Sequence, residues 1–112
     1  MQLMFTDFLI VNRKWWVNDE FTATTPAPAN ERLTDAEQIT VVIDYPLNKP
    51  LRRTVTKAGG YSIADFCNAV ADMYTELYAD PTSEVWGHNI GDLVIEGFAV
   101  NPDGSYQLAI GS

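Results

Sequence analysis

The stretch YSIADFCNAVADMYTELYADP, residues 61–81, decides the fold because it carries sustained helical periodicity. Its apolar residues recur at about 100° per residue, as they do on one face of an α-helix. Ser62 and Asp65 have the spacing of a capping box at its start. Pro81 ends the pattern, since the residue before a proline avoids helical geometry. The sequence therefore predicts one long amphipathic helix over residues 63–78.

Three predicted β-hairpins surround this helix. Their strands are rich in β-branched and aromatic residues or alternate between apolar and polar side chains, and turn-forming residues separate them. The paired segments are residues 3–11 with 15–21, 39–45 with 51–57, and 92–100 with 105–110. The predicted fold is α+β, with an antiparallel sheet of about six strands and the long helix packed on one face.

One segment interrupts this order. Residues 22–38 contain two prolines and many small polar residues, which predicts a proline-containing loop or arm. Within it, residues 34–37 (TDAE) match a capping box, so a single helical turn is expected there. A chain of 112 residues with 46% apolar residues suits one domain, covering residues 1–112.

The charge is distributed unevenly along the chain. The net charge is −8, and all seven lysines and arginines lie between Arg13 and Lys57. Residues 58–112 hold eight acids and neither lysine nor arginine. Direct binding of this half to nucleic acid or to an anionic membrane is therefore not expected, whereas a basic partner surface is. The alternative interpretation is that the acids only keep the protein in solution.

The cysteine content bears on the compartment. Cys67 is the only cysteine, so no disulfide can form within the chain, which is compatible with the cytoplasm. The longest uncharged apolar run, residues 8–11, is far too short to span a bilayer. We expect a soluble cytoplasmic protein.

The polar face of the predicted helix is acidic. Asp65, Asp72, Glu76 and Asp80 fall within about 80° of one another around the helix axis. Successive acids from Asp72 to Asp80 are about 6 Å apart along that axis, close to the spacing of phosphates in a nucleic-acid strand. This face is a candidate partner-binding surface, by nucleic-acid mimicry in its narrowest form. The alternative is an ordinary solvated helix face.

Two adjacent tryptophans extend the candidate surface. Trp15 and Trp16 follow each other in a predicted strand, so their side chains point to opposite faces of the sheet. With one helix to cover one face, at least one of them is expected to be exposed and able to contact a partner. The alternative is that the proline-containing arm covers it.

A second candidate site lies where the glycine pair meets the helix. Gly59 and Gly60 precede the helix N-terminus, where backbone N–H groups favour an anion. Arg53, Lys57 and the ring of Tyr61 would complete a small phosphate or nucleotide site. The spacing matches neither a P-loop nor a dinucleotide fingerprint, and Asp65 would repel an anion. An ordinary glycine turn is the alternative.

Catalysis and metal binding have little support. Cys67 lies on the apolar face of the helix, where a thiol behaves as an inert hydrophobe. His88 has Glu84 and Asp92 nearby but no evident nucleophile, so it is interpreted as a loop residue. We expect no catalytic residue, no metal and no cofactor.

Two functional hypotheses follow. The first is a non-enzymatic, acidic interaction module that inhibits or adapts a partner with a basic surface. The second is a small-ligand or nucleotide-binding protein that uses the glycine turn. Unpaired edge strands of the predicted sheet also allow a homodimer.

Overall fold

The computed structural model describes residues 2–82, 85, 87 and 89–112. Nine strands and one long helix follow one another along this part of the chain. The strands are β1 (Gln2–Leu9), β2 (Lys14–Val17), β3 (Glu20–Thr22), β4 (Arg32–Thr34), β5 (Gln38–Ile43), β6 (Leu51–Thr56), β7 (Tyr61–Ser62), β8 (Val94–Val100) and β9 (Tyr106–Gly111). The helix is α1 (Ile63–Ala79), and short 3-10 turns lie at Ala27–Asn30 and Ile90–Asp92.

The predicted α+β class is confirmed, since one long helix packs against a mostly antiparallel sheet. The main sheet has the strand order β3-β2-β1-β8-β9-β5-β6 and so has seven strands where about six were predicted. Strands β4 and β7 form a separate two-stranded sheet. β9 lies parallel to β5 and antiparallel to β8, which makes the last strand an internal one.

The additional strand arises from a turn inside the segment predicted as one strand over residues 15–21. Asn18 and Asp19 both have positive φ, 52° and 63°, and Val17 pairs with Glu20. Two central residues with positive φ are the signature of a type I′ hairpin turn, which asparagine and aspartate tolerate. β2 and β3 therefore form a hairpin of their own.

The helix begins as the sequence predicts. The N–H of Asp65 donates to the Ser62 hydroxyl at 3.0 Å, and the N–H of Ser62 donates to the Asp65 carboxylate at 2.9 Å. The helix ends at Ala79, one residue beyond the predicted end, and Asp80 is its C-cap. Its apolar face packs on one face of the main sheet, where Phe66 contacts Phe98 and Tyr106. No helix in the described part of the chain is long and apolar enough to cross a bilayer.

The segment over residues 22–38 is packed against the domain. Ala29 is buried, and the carbonyl of Glu31 accepts from the N–H of Ile63 at 3.0 Å, beside the helix N-terminus. The helical turn predicted over residues 34–37 is absent: the N–H of Ala36 donates to the Thr34 hydroxyl at 3.1 Å. Because β4 pairs with β7, Thr34 stays extended and its hydroxyl bonds the residue two positions on instead of three.

Candidate functional site

The flank of α1 that faces β6 borders an open depression of about 430 Å³. Residues of β6 and residues of the helix flank both line this depression. Three carboxylates and one ammonium group stand around it, which leaves it net negative. Its lining residues are Val55, Thr56, Lys57, Tyr61, Asp65, Asn68, Ala69, Asp72, Met73 and Glu76.

Asp65 is committed to the start of the helix. The N–H of Ser62 is the first cause that lowers the pKa of its carboxyl group, and the Ser62 hydroxyl and Lys57 add to the effect. Lys57 Nζ lies 3.6 Å from the Asp65 carboxylate. Asp65 therefore contributes negative charge at one end of the depression while it caps the helix.

Asp72 lines the depression and is paired with an arginine of another element. Arg13, in the turn between β1 and β2, forms an ion pair with its carboxylate. The same guanidinium donates to the side-chain oxygen of Asn68 at 3.0 Å. The Asp72 side chain is still 66% exposed, so water screens this pair and leaves the carboxylate accessible to another cation.

Glu76 and Asp80 differ in their surroundings. Glu76 is exposed, lines the depression, and has no ion-pair partner among the described residues. Asp80 lies in a neighbouring depression of about 280 Å³ and accepts from the N–H and hydroxyl of Thr82 at 2.9 and 2.7 Å. Those bonds lower the pKa of Asp80, and Arg53 lowers it further. The acidic row predicted from the sequence is therefore interrupted before Asp80.

The neighbouring depression continues the same boundary between β6 and α1. Arg53 lies on its β6 side, and Leu77 and Asp80 lie on its helix side. Lys49 and Arg53 outnumber Asp80, so this depression is net positive, opposite in sign to the first. Its complete lining is Leu47, Asn48, Lys49, Pro50, Leu51, Arg53, Leu77, Asp80 and Thr82.

The two tryptophans are separated as their strand geometry requires. Trp15 is 3% exposed and packs edge-on against Phe8, with ring centroids 4.7 Å apart. It belongs to the core, so its inclusion in the candidate partner surface is corrected. Trp16 is 41% exposed and stacks edge-on with Phe21 at 5.0 Å. This aromatic pair lies on the β2–β3 hairpin, at the sheet edge opposite β6.

The glycine turn does not present free N–H groups in the way that the nucleotide hypothesis requires. The N–H of Gly59 donates to the Glu37 carboxylate at 2.6 Å, and the N–H of Gly60 donates to the carbonyl of Lys57 at 3.1 Å. At the start of the helix, the N–H of Ile63 donates to the carbonyl of Glu31 and the N–H of Asp65 donates to the Ser62 hydroxyl. Acceptors of the protein itself therefore bind the N–H groups that a phosphate would need. The sequence alone does not reveal these bonds.

The proposed side chains of that ligand site are also divided. Tyr61 is 2% exposed, and burial, followed by the charge of Asp65, raises its pKa. Lys57 is paired with Asp65 in the negative depression, and Arg53 lies in the positive one. These residues do not converge on one anion.

The structure bears on the thiol hypothesis but not on the histidine hypothesis. Cys67 is fully buried, and burial raises the pKa of its thiol far above its usual range. His88 and Glu84 lie outside the described residues. Within the described ranges, no cluster of three or more potential ligands could hold a metal ion.

The apolar residues of the negative depression were missed by sequence reasoning. Ala69 and Met73 follow Asp65 on one side of the helix at four-residue spacing, so helical periodicity could have placed them beside the acids. Val55 could not be placed there, because its position depends on which strand forms the sheet edge.

No protein-family model, no curated protein and no solved structure matches this chain.

Proposed function

We propose that this protein is a non-enzymatic interaction module that binds a partner through basic side chains, on the flank of α1 that faces β6. The observation that carries the proposal is the negative depression itself. Asp65, Asp72 and Glu76 stand around one concavity whose lining also includes apolar groups. A lysine or arginine of a partner can place its aliphatic stem on that apolar surface and its charge beside the carboxylates.

This proposal is broader than nucleic-acid mimicry. Mimicry needs a regular row of uncompensated acids, and Asp80, which would continue the row, lies beside Arg53 and is bonded to Thr82. The concavity instead favours recognition of individual basic side chains. An inhibitor or an adaptor of a partner with a basic surface would both bind in this way.

The proposed role is binding without chemistry, in the cytoplasm. The chain's only cysteine is a buried free thiol, which supports a reducing compartment and does not offer an accessible nucleophile. The nucleotide-binding alternative has no comparable support, because the N–H groups on which it depends bond to Glu37, to Glu31 and within the turn.

The proposal is tested with a fluorescein-labelled oligolysine peptide, with oligoglutamate as the charge-reversed probe. Oligolysine is expected to bind, with an affinity that falls steeply as added salt shortens the Debye length. Asp72→Lys combined with Glu76→Lys reverses two charges. Since a pair of charges at about 4 Å contributes about 1 kcal/mol in water, affinity should fall at least about tenfold.

The matched control makes the same change in net charge at a different place on the surface. Glu20→Lys combined with Glu31→Lys alters two exposed acids outside the depression. If this control weakens oligolysine binding as much as the Asp72 and Glu76 variant does, the attraction is only that of overall charge. The proposed site is then wrong.

A further inference from the structure

Strand β6 forms one edge of the main sheet. Its six residues pair with β5 in unbroken antiparallel register, and no strand pairs with its other side in the described part of the chain. Lys57, next after the strand, donates its N–H to the carbonyl of Glu37 at 2.7 Å, in register with the β5–β6 ladder. Because hydrogen-bonded pairs alternate along an antiparallel ladder, the backbone groups of Arg52, Thr54 and Thr56 point away from β5.

These outward groups lie beside the two depressions described above, which we call together the β6–α1 groove. Side chains alternate along a strand, so Leu51, Arg53, Val55 and Lys57 point to the helix side and line the groove. An added strand would lie next to β6 and direct alternate side chains into the same space.

We propose that an extended segment of a partner protein adds to β6 as an antiparallel strand and places a lysine or arginine opposite Val55. This inference rests on the proposed function and names how the partner binds. Strand addition supplies main-chain hydrogen bonds, and pockets for alternate side chains supply selectivity. The edge of β6 offers the main-chain hydrogen bonds, and the groove offers the pockets for side chains.

The groove specifies a charge pattern along the segment. The basic residue opposite Val55 lies against Ala69 and Met73 and reaches Asp72 and Glu76. The residue four positions further along, opposite Leu51, enters the positive depression, where an acidic side chain is favoured. The two positions are about 13 Å apart along an extended strand.

A second copy of this protein is a poorer occupant of the edge. Each copy carries a net charge of −8, so two copies repel each other. Two of the basic residues that a second copy would bring are also ion-paired with acids of their own chain, Arg52 with Asp103 and Lys57, next after the strand, with Asp65, and Arg53 lies in the same depression as Asp80. A partner segment with uncommitted cations matches the groove better.

The probe is the capped peptide Ser-Lys-Thr-Val-Thr-Glu-Ser. Its lysine, valine and glutamate face the groove, and the amides of its two threonines face β6. N-methylation of both threonine amides removes donors to Arg52 and Thr54, whereas N-methylation of the valine amide removes a donor that points to solvent. We expect the first change to lower affinity at least about tenfold, as the loss of two hydrogen bonds would, and the second to leave it within about twofold.

Substitutions on the protein give an independent test. Thr54→Pro removes the outward N–H at an edge position where proline is tolerated. It also removes the hydroxyl contact of 2.9 Å with Thr40. Thr54→Val removes that contact and keeps the N–H. Peptide binding should be lost in Thr54→Pro and retained in Thr54→Val, and circular dichroism reports whether each variant is folded.

The possible outcomes distinguish strand addition to β6 from the proposed binding of basic side chains. Equal affinity of the two N-methylated peptides would overturn strand addition but not the proposed function, provided that oligolysine still depends on Asp72 and Glu76. If neither the peptide nor oligolysine binds, both fail. If unliganded protein dimerises in sedimentation equilibrium and Thr54→Pro abolishes the dimer, the occupant is a second copy and the proposed partner segment is wrong.

Discussion

The carboxylate of Glu37 accepts a 2.6 Å hydrogen bond from the backbone N–H of Gly59, at the turn that leads to the helix N-terminus. A carboxylate of the protein thus occupies the position that an anionic ligand would need. Asp65 adds a second carboxylate within the first turn of α1. Carboxylates of the protein therefore already compensate the positive end of the helix, so an anionic ligand is disfavoured there.

Nucleotides should not stabilise the protein. A bound phosphate would have to displace Glu37 and approach Asp65, so no change in melting temperature is expected in thermal-shift measurements across a panel of nucleotides. Lys57→Ala serves as the comparison. A nucleotide-dependent shift in the native protein that disappears in this variant would contradict the interpretation and restore the glycine turn as a ligand site.

Gly60→Ala should destabilise the fold more than Gly59→Ala. Both glycines have positive φ, 84° at Gly59 and 85° at Gly60, so alanine is strained at either position. A Cβ at Gly60 would also collide with the carbonyl oxygen of Thr34 and lie 2.9 Å from the Cα of Asp35, whereas a Cβ at Gly59 meets nothing within 4 Å. We expect a loss of about 1 kcal/mol for Gly59→Ala and about 2 kcal/mol more for Gly60→Ala.

Urea unfolding monitored by tryptophan fluorescence provides the measurement for this glycine pair. The difference between the two variants isolates the collision from the backbone strain that they share. Equal free energies of unfolding would mean that the β4 segment does not press against Gly60 in solution.

The two adjacent tryptophans should respond very differently to alanine. Trp15 packs against Phe8 within the core, and truncation of a buried tryptophan costs about 3–5 kcal/mol. Trp16→Ala removes an exposed ring and its contact with Phe21, a loss of about 1 kcal/mol. Chemical denaturation distinguishes them, and similar losses would show that Trp16 is covered in solution.

Stability should depend on pH through Asp103. The hydroxyl and then the N–H of Ser105 hold the pKa of Asp103 down to about 2, and Arg52 adds to the effect. Since the unfolded value is about 4, the folded state binds this proton less tightly than the unfolded state does. The stabilisation is complete above about pH 4 and is lost as the pH falls toward about 2.

The comparison of native protein with Asp103→Ala tests this sign. The difference in denaturation midpoint should be constant between neutral pH and about pH 5 and should shrink at lower pH, following the unfolded and folded pKa values. Glu20→Ala, at an exposed position with no ion-pair partner among the described residues, is the control and should show no such trend. A difference that grows at low pH would contradict the assignment.

Local sequence signals predicted the helix well. Its periodicity, its capping box and its proline-terminated end all act within a few residues, so they are readable without knowledge of the rest of the fold. The turn at Asn18 and Asp19 was not predicted, because the residues on both sides of it are typical of a strand. The positive φ values that make these two residues a turn cannot be read from the sequence pattern. Thr34 was misread because the pairing of β4 with β7 decides its backbone conformation.

The candidate site was predicted only in part. Helical spacing placed Asp65, Asp72 and Glu76 on one side of α1, and the structure brings these three to one depression. Asp80 is separated from them by its bonds to Thr82 and by Arg53, and the apolar wall depends on Val55. Arg53 and Val55 belong to β6, and only the strand order shows that β6 lies at the sheet edge beside that flank of the helix.

The insertion of β9 between β8 and β5 gives residues 106–111 an architectural role. Without it, the main sheet would consist of two unconnected parts, one built around β1 and β8 and the other from the β5–β6 hairpin. Residues 106–111 must therefore emerge from the ribosome before a nascent chain can join these two parts of the sheet. Until then, the edges of β8 and β5 that β9 covers stay unpaired, and an unpaired strand edge invites pairing with another chain.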